Sequence, residues 1–177
     1  MPRIPLVDPA TAPEGSKAIF EGPLKGKHLN IFKAMGNSPA VLNVYLGMAG
    51  SLAKASLSSK EQEAIQLAIG QANDCGYCLA AHTKIGMGAG LTEAQTLEAR
   101  RGSMPSDAKL DALVKFARAL HEKRGHVGDA EVEALRGAGY TDAQVAEAVA
   151  SYALAHFTNV FNHVAATPID FPEAKPI

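Results

Sequence analysis

Two cysteines separated by two residues are the most reactive feature of this 177-residue sequence. Cys75 and Cys78 form a C-x-x-C pair, and the chain has no other cysteine. The spacing is compatible with half of a zinc site, with a redox-active dithiol, or with chance. A structural zinc site needs two further ligands, and no second cysteine pair is present to supply them. We therefore favour a redox dithiol and expect neither a metal nor another cofactor.

The place of the pair at the start of a predicted helix favours disulfide formation. Asn73 and Asp74 are typical of the end of one helix and the cap of the next, which puts Cys75 in the first turn. Residues three apart on a helix have Cα atoms about 5 Å apart, a distance that a disulfide tolerates. A helix N-terminus also lowers the pKa of a thiol and favours its thiolate form. We expect Cys75 and Cys78 to form a reversible disulfide.

Glu63 and His82 are predicted to reach the same site. His82 follows Cys78 by four residues and shares its helix face, whereas it lies about two turns from Cys75. If the turn before Cys75 folds the preceding helix back antiparallel, Glu63 meets His82. The sequence thus predicts the chain Glu63–His82–Cys78, in which the carboxylate orients the imidazole and the imidazole takes the thiol proton. Gly70 costs about 1 kcal/mol inside a helix, and a close approach of the two helices would explain its presence.

Each of these residues also has an ordinary structural interpretation. A single Glu on a helix is usually solvated, a single His near a helix end is usually structural, and paired cysteines are often inert. The argument for chemistry is that four suitable groups converge on one place by simple helix geometry.

Helix signals recur along the chain, and strand signals are nearly absent. Alanine is abundant, and alternating β-branched runs are missing. Ser38 before Pro39 is typical of a helix start, and Gly90 and Gly139 stand where helices should end. Capping-box spacings occur three times, at Ser58/Glu61, Thr92/Gln95 and Thr141/Gln144. We predict an all-α protein with helices near 14–22, 28–35, 39–55, 59–73, 75–87, 92–101, 107–124, 129–136 and 142–166.

Length and composition favour one helical domain over residues 1–177, with an N-terminal arm over about 1–13 and a C-terminal tail over about 168–177. The chain is 47% hydrophobic with a net charge of −1, which argues against disorder and against a nucleic-acid partner. Two cysteines are too few for a disulfide-stabilised scaffold. The first ten residues contain prolines and an Asp where a signal peptide needs an apolar core, so we expect a cytoplasmic protein.

The stretch 148–169 has no Asp, Glu, Lys or Arg before Asp170, yet it carries several polar residues. That polarity favours a helix buried in protein over a membrane span. Its polar stripe either lines a substrate pocket or, as we favour, is hydrogen-bonded at a helix or subunit interface. The stripe consists of Tyr152, His156, Asn159 and His163. We expect the unassigned histidines at the surface, namely His28, His121 and His126.

The four candidate site residues resemble a known family motif. Glu63, eleven residues, Cys75, two residues, Cys78, three residues and His82 is similar to the motif of the alkylhydroperoxidase D-like (AhpD-like) branch of the carboxymuconolactone decarboxylase family. The continuations AAHTKIG and GLT resemble the same family. The ending FNHVA with TPIDF and the start RIPLVD resemble its peroxidase-related subgroup. The similarity covers nearly the whole chain.

The resemblance implies an all-α fold of the antioxidant-defence type, assembled as trimers or hexamers, that reduces organic hydroperoxides. By position, Cys78 attacks the peroxide, Cys75 resolves it as a disulfide, and Glu63 with His82 forms the proton relay. A thiol reductant, such as a lipoylated or other dithiol protein, would restore the dithiol. Tyr77 departs from the best-known peroxidase members, which have a second His at this place. Because a phenol is a poor base at neutral pH, we expect Tyr77 to be an accessory residue at most and the peroxidase rate to be low.

The helix dipole and the histidine favour different cysteines. The dipole favours a thiolate at Cys75 by about 0.3–1 kcal/mol. A nearby imidazolium can lower the pKa of Cys78 by about 1–3. Because the second effect is larger and His82 can reach Cys78, we expect Cys78 to be the attacking thiolate.

Two other functions are compatible with the sequence. One is decarboxylation of a lactone acid, the other chemistry of this family, which would not need two cysteines. The other is a non-enzymatic redox sensor, in which the disulfide changes assembly without turnover. The arm, the tail and the uncharged last helix also carry more apolar surface than a compact monomer hides, so we expect a homo-oligomer.

Overall fold

The computed structural model describes residues 1–177 as nine α-helices with no β-strand. The helices are α1 (Glu14–Glu21), α2 (Asn30–Met35), α3 (Pro39–Leu52), α4 (Ser59–Ala72), α5 (Gly76–Gly88), α6 (Glu93–Arg101), α7 (Ala108–Glu122), α8 (Asp129–Gly137) and α9 (Asp142–Ala165). All nine predicted helices are confirmed. The largest difference in a boundary is at α3, which ends at Leu52 rather than at residue 55.

Side-chain caps explain most of the helix starts. The three predicted capping boxes are present at the starts of α4, α6 and α9, where each N-cap hydroxyl accepts a hydrogen bond from the backbone three residues on. Ser38 occupies the N-cap of α3 before Pro39, but its side chain makes no capping hydrogen bond. Gly90 and Gly139 follow the ends of α5 and α8 with φ of 100° and 92°, a backbone conformation that glycine adopts without strain.

Helix α4 lies at the centre of the molecule. It packs against α5, α6, α7 and α9, and every residue from Ala64 to Gly70 is buried. A helix that is buried on all sides must be apolar all round, which the sequence AIQLAIG satisfies except at Gln66. Ile65 and Ile69 join one core cluster, and Ala64, Leu67 and Ala68 join another. Any functional group on α4 is therefore held by packing on several sides.

The third core cluster surrounds the cysteines. It joins Cys75, Tyr77 and Cys78 to apolar residues of the N-terminal helices, among them Phe20, Phe32 and Leu42. The start of α5 is thus buried by the first three helices.

Neither the arm over residues 1–13 nor the tail over residues 168–177 contains a helix, and both are hydrogen-bonded to the helices. The backbone N–H of Arg3 donates to the carbonyl of Ala165 at 2.7 Å, at the end of α9. The Asp170 carboxylate accepts a hydrogen bond from the backbone N–H of Asn30 at 2.7 Å, at the start of α2. Val7 of the arm and Phe171 of the tail both pack against the core cluster that contains the cysteines.

None of the nine helices has the length and apolarity that a membrane crossing requires. The longest, α9, packs against α3, α4, α5, α7 and α8 and buries several polar side chains. Its stretch without charged residues packs against other helices, as predicted, but Val149, Val160 and Val164 on it are exposed.

Candidate active site

The turn between α4 and α5 sets the position of both cysteines. Asn73 caps the end of α4, and Asp74 then takes a left-handed conformation with φ of 51°. Cys75 is the N-cap of α5, and its sulfur accepts a hydrogen bond from the backbone N–H of Cys78 at 3.4 Å. The prediction that Asp74 caps the helix and that Cys75 lies in its first turn is therefore wrong by one residue. Asp tolerates the left-handed region, and this lets the chain turn before the cap.

Cys75 and Cys78 are joined by a disulfide bond, with their Cα atoms 5.3 Å apart. The spacing of three residues at a helix start thus brings the two sulfurs together, as predicted. Each cysteine is only 2% exposed, so the bond is shielded from solvent by the surrounding side chains.

Glu63 and His82 form a hydrogen bond between α4 and α5. Glu63 Oε2 lies 2.7 Å from His82 Nδ1, and both side chains are largely buried. The predicted contact between these two residues is confirmed. A proton on Nδ1 that points at a carboxylate leaves Nε2 as the nitrogen that can accept another proton. His82 makes no hydrogen bond to either sulfur, so its part in proton transfer stays a prediction.

Two glycines lie where α4 and α5 pack against each other, Gly70 on α4 and Gly86 on α5. A Cβ atom on Gly86 would lie 3.0 Å from Leu91 Cδ1 and 3.5 Å from Glu63 Cβ. A Cβ atom on Gly70 would meet nothing nearer than 3.4 Å, an ordinary contact with Leu79. Gly86 follows His82 by one turn, so the missing side chain helps α5 to approach Glu63.

A small cavity of about 70 Å³ lies beside Cys78 and His82. Fourteen residues line it, of which ten are hydrophobic, including Phe32, Tyr45 and Phe171. Gln66 and Asn162 are polar members of the lining, and none of the fourteen is Asp, Glu, Lys or Arg. A space of this size holds a few water-sized groups. The cavity therefore suits a small uncharged molecule that presents a polar atom to the sulfur.

The last turns of α9 hold the cysteine turn in place. Asn73 Nδ2 donates to Asn159 Oδ1 at 2.9 Å, and His163 Nε2 lies 2.7 Å from the carbonyl oxygen of Asn73. Asn162 Nδ2 donates to the Sγ of Cys78 at 3.3 Å. No role is predicted for Asn162 from the sequence. Its position in the stretch 148–169 without charged residues, three residues after Asn159, is the only signal that could have indicated it.

The polar stripe on α9 does not line this cavity, and that interpretation is wrong. Asn159 and His163 are hydrogen-bonded across a helix interface, as we favoured. Tyr152 and His156 instead stack with ring centroids 5.9 Å apart, and His121 of α7 completes the group at 5.9 Å from His156. His121 is half-buried, so the expectation of a surface residue is wrong; His28 and His126 are exposed as expected.

Tyr77 holds the tail and α2 rather than bonding to the cysteines or to the Glu63–His82 pair. Its hydroxyl accepts a hydrogen bond from the backbone N–H of Ile31 at 3.3 Å, and its ring packs edge-on against Phe171. Burial and the neighbouring Asp170 carboxylate raise the pKa of the Tyr77 hydroxyl far above its ordinary value. Tyr77 thus stays protonated, which agrees with its expected weakness as a base.

No group of three or more His, Cys, Asp or Glu side chains is placed to hold a metal ion.

The central part of the chain matches a protein family. The model of the carboxymuconolactone decarboxylase family matches residues 39–122, a segment that contains all four candidate site residues. None of the curated protein sequences matches the chain.

Fifteen solved protein chains match the structure. One is an AhpD-core, peroxidase-related protein from Ralstonia eutropha JMP134, with a TM-score of 0.84 and 22% identity over 96% of this chain and 92% of that one. A peroxidase-related protein from Silicibacter sp. TM1040 has a TM-score of 0.77 and 24% identity over 94% and 89%. The debrominase Bmp8, in complex with 2,3,4-tribromopyrrole, has a TM-score of 0.77 and 19% identity over 95% and 91%. These likenesses show that the chain has the all-α AhpD-like fold.

Proposed function

We propose that this chain, whose residues 39–122 match the carboxymuconolactone decarboxylase family, is a thiol-dependent peroxidase for small organic hydroperoxides. The observation that supports the proposal is that Cys78 and His82 both line one apolar cavity, each joined to its own partner. Cys78 is bonded to Cys75, and Glu63 holds the imidazole of His82 by its Nδ1. A paired carboxylate and imidazole beside a dithiol is the arrangement that an activated thiol nucleophile needs.

In the first step, His82 accepts the proton of the Cys78 thiol, and the resulting thiolate attacks the terminal oxygen of the hydroperoxide. An S–O bond forms, the O–O bond breaks, and the departing alkoxide takes a proton to leave as an alcohol. The imidazolium of His82 can return that proton, and the Glu63 carboxylate stabilises the imidazolium while it exists.

In the second step, the sulfur of Cys75 attacks the sulfenic acid on Cys78. The S–S bond forms, the S–O bond breaks, and the hydroxyl leaves as water with the proton of Cys75. The dithiol has then lost two electrons and the peroxide has gained them. The Cα separation of 5.3 Å lets this bond close with little backbone movement. An external dithiol returns the two electrons by thiol–disulfide exchange, which suits a reducing compartment such as the cytoplasm.

The lining of the cavity favours an uncharged substrate. A lactone acid carries a carboxylate, and its burial would require a cation or several hydrogen-bond donors. None of the fourteen lining residues is Lys or Arg. Decarboxylation of a lactone acid, the first alternative from the sequence, therefore fits this site poorly.

A peroxide-consumption assay tests the proposal. Wild-type protein should consume tert-butyl hydroperoxide over many turnovers with dithiothreitol or dihydrolipoamide as the reductant. Cys78→Ser should consume none, and Cys75→Ser should form a sulfenic acid on Cys78. Mass spectrometry of peroxide-treated wild type should show a loss of two hydrogens per chain. Dithiol oxidation without turnover would support the redox-sensor alternative, and persistent free thiols would reject both.

A second candidate function is reductive dehalogenation. Its support is the likeness to the debrominase Bmp8, together with the aromatic side chains that line the cavity of this chain. The same dithiol would supply two electrons, so that a carbon–bromine bond becomes a carbon–hydrogen bond while bromide and the disulfide form. Release of bromide from 2,3,4-tribromopyrrole with a thiol reductant, absent in Cys78→Ser, would favour this function over peroxide reduction.

The surface of α3 supports assembly into a homo-oligomer, which the family resemblance puts at a trimer or hexamer. Only Leu42 and Leu52 are buried among the fourteen residues of this apolar helix. On α9, Val164 is 58% exposed near the end of the helix. Light scattering should give a mass that is a multiple of 18.5 kDa, and a mass equal to one chain at micromolar concentration would contradict the proposal.

A further inference from the structure

The two sulfurs of the disulfide each accept one N–H hydrogen bond, from different sources. Cys75 Sγ accepts from the backbone N–H of Cys78 at 3.4 Å, as an N-cap does. Cys78 Sγ accepts from the side-chain amide of Asn162 at 3.3 Å, a residue 84 positions away on α9. The first donor is fixed by the helix itself, whereas the second depends on a single side chain.

The side-chain amide of Asn162 directs its N–H group at the sulfur and leaves its oxygen without a hydrogen bond. A sulfur in a disulfide carries no proton, so only the N–H side of an amide can bond to it. Asn162 Oδ1 is buried and has no hydrogen-bond partner. Because buried polar atoms are nearly always paired, this amide is placed to serve the sulfur rather than to satisfy the helix.

We propose that Asn162 is a catalytic residue that selects Cys78, rather than Cys75, as the attacking thiolate. A hydrogen bond to the charged form of a group lowers its pKa, and N–H donors bind a thiolate more strongly than a neutral thiol. The backbone donor and the helix N-terminus favour charge on Cys75. Asn162, which bonds directly to Cys78, opposes that preference together with His82. The inference rests on the proposed function only in taking a hydroperoxide as the target of the thiolate. Formation of the thiolate itself needs no peroxide.

The test measures thiol pKa values in single-cysteine proteins by the pH dependence of alkylation with iodoacetamide. In the Cys75→Ser protein, Asn162→Leu should raise the pKa of Cys78 and lower its thiolate fraction at neutral or lower pH about tenfold. Asn162→Asp should raise the pKa of Cys78 at least as much, because a carboxylate of similar shape replaces the N–H donor and brings a negative charge. In the Cys78→Ser protein, Asn162→Leu should leave the pKa of Cys75 unchanged.

Thr158 provides a matched control on the same helix. It lines the cavity one turn before Asn162, but its hydroxyl donates to carbonyls of its own helix. Thr158→Val should leave the pKa of Cys78 where it is. An equal rise in Thr158→Val would assign the effect to helix packing and overturn the proposal.

The choice of cysteine can also be read directly in the reduced protein with both thiols present. Limited alkylation followed by peptide mass spectrometry should label Cys78 first, and Asn162→Leu should move label toward Cys75. An unchanged pKa of Cys78 in a folded Asn162→Leu protein would overturn the inference. If that variant does not fold, an unchanged or lowered pKa in Asn162→Asp does the same. Loss of peroxidase activity alone bears only on the proposed function.

Discussion

Two half-buried histidine clusters lie in this molecule, and they differ in their partners. His82 has a carboxylate on Nδ1 and an apolar cavity beside it. His121 and His156 have each other and Tyr152, and the Nδ1 atoms of both imidazoles are buried without a hydrogen-bond partner. A carboxylate stabilises the imidazolium that forms when a histidine takes a proton, whereas a neighbouring imidazole opposes it. We therefore expect a buried histidine that has a carboxylate partner, as His82 has, to act as a base, and buried histidines without one to act only in packing.

The largest expected effect comes from removing each imidazole in turn. His82→Asn keeps a donor for Glu63 but has no basic nitrogen, so peroxide turnover should fall about 10²–10⁴-fold. His156→Asn is the matched change in the other cluster, and it should leave turnover within a factor of about two while lowering thermal stability. Steady-state peroxide consumption by both variants measures the contrast. Equal losses in the two variants would remove the distinction between the clusters.

A smaller effect on turnover is expected when His82 loses only its carboxylate partner, Glu63. Glu63→Gln can still hydrogen-bond the imidazole, but it cannot stabilise the imidazolium by charge. Turnover should fall by about 10–100-fold, at or below the lower limit of general-base effects, because His82 itself remains. The pKa of Cys78 should rise, as measured by pH-dependent alkylation. An unchanged turnover and alkylation profile would make Glu63 a merely structural residue.

The histidine cluster without a carboxylate, His121 and His156, should affect how the stability of the protein depends on pH. Burial, then the charges of His156 and Arg118, lower the pKa of His121, and Glu122 offsets only part of this. The unfolded chain then binds a proton at His121 more readily than the folded one, so the free energy of unfolding falls as the pH drops below about 6.5. His121→Phe should flatten the decline between about pH 7 and 5 in denaturant titrations. If the free energy of unfolding of His121→Phe declines as steeply as that of wild type, the lowered pKa of His121 is contradicted.

Only a small effect on turnover is expected at Tyr77, whose hydroxyl lies between α2 and the tail. Tyr77→Phe removes the acceptor for the Ile31 N–H and should lower the free energy of unfolding by about 1 kcal/mol. Peroxide turnover should change by less than about threefold, because a proton relay is worth far more than that. A loss of 100-fold or more would show that the phenol takes part in the relay.

The sequence predicts those parts of the site that follow from local geometry. Helix spacing places Cys78 and His82 on one face, and an antiparallel pair of helices brings Glu63 to His82; both agree with the structure. The helix starts were equally predictable because capping boxes are contained within four residues. The left-handed Asp74 was not, since its conformation depends on how the turn closes.

Contacts between distant parts of the chain could not be predicted from spacing. Asn162 reaches Cys78 across 84 residues, and its contact depends on how α9 packs against α5. Phe171 lines the cavity because the tail lies beside α2, where hydrogen bonds with Asn30 and the ring of Tyr77 hold it. The His121–His156 contact could not be predicted either, because it joins α7 and α9 and no sequence pattern relates the two residues.

The Cys75–Cys78 bond closes a loop of sequence separation three, and this has a consequence for chain entropy. In the loop-closure model, a cross-link stabilises a fold by restricting the unfolded chain, and the restriction grows with the length of the loop. A ring this small removes little freedom, worth about 2 kcal/mol against about 5 for a bond that spans a whole domain. The rest of the molecule is held by packing around α4, which does not depend on the oxidation state of the sulfurs. We therefore expect that the bond can open and close during the proposed reaction, and that the melting temperatures of the two redox states differ by only a few degrees.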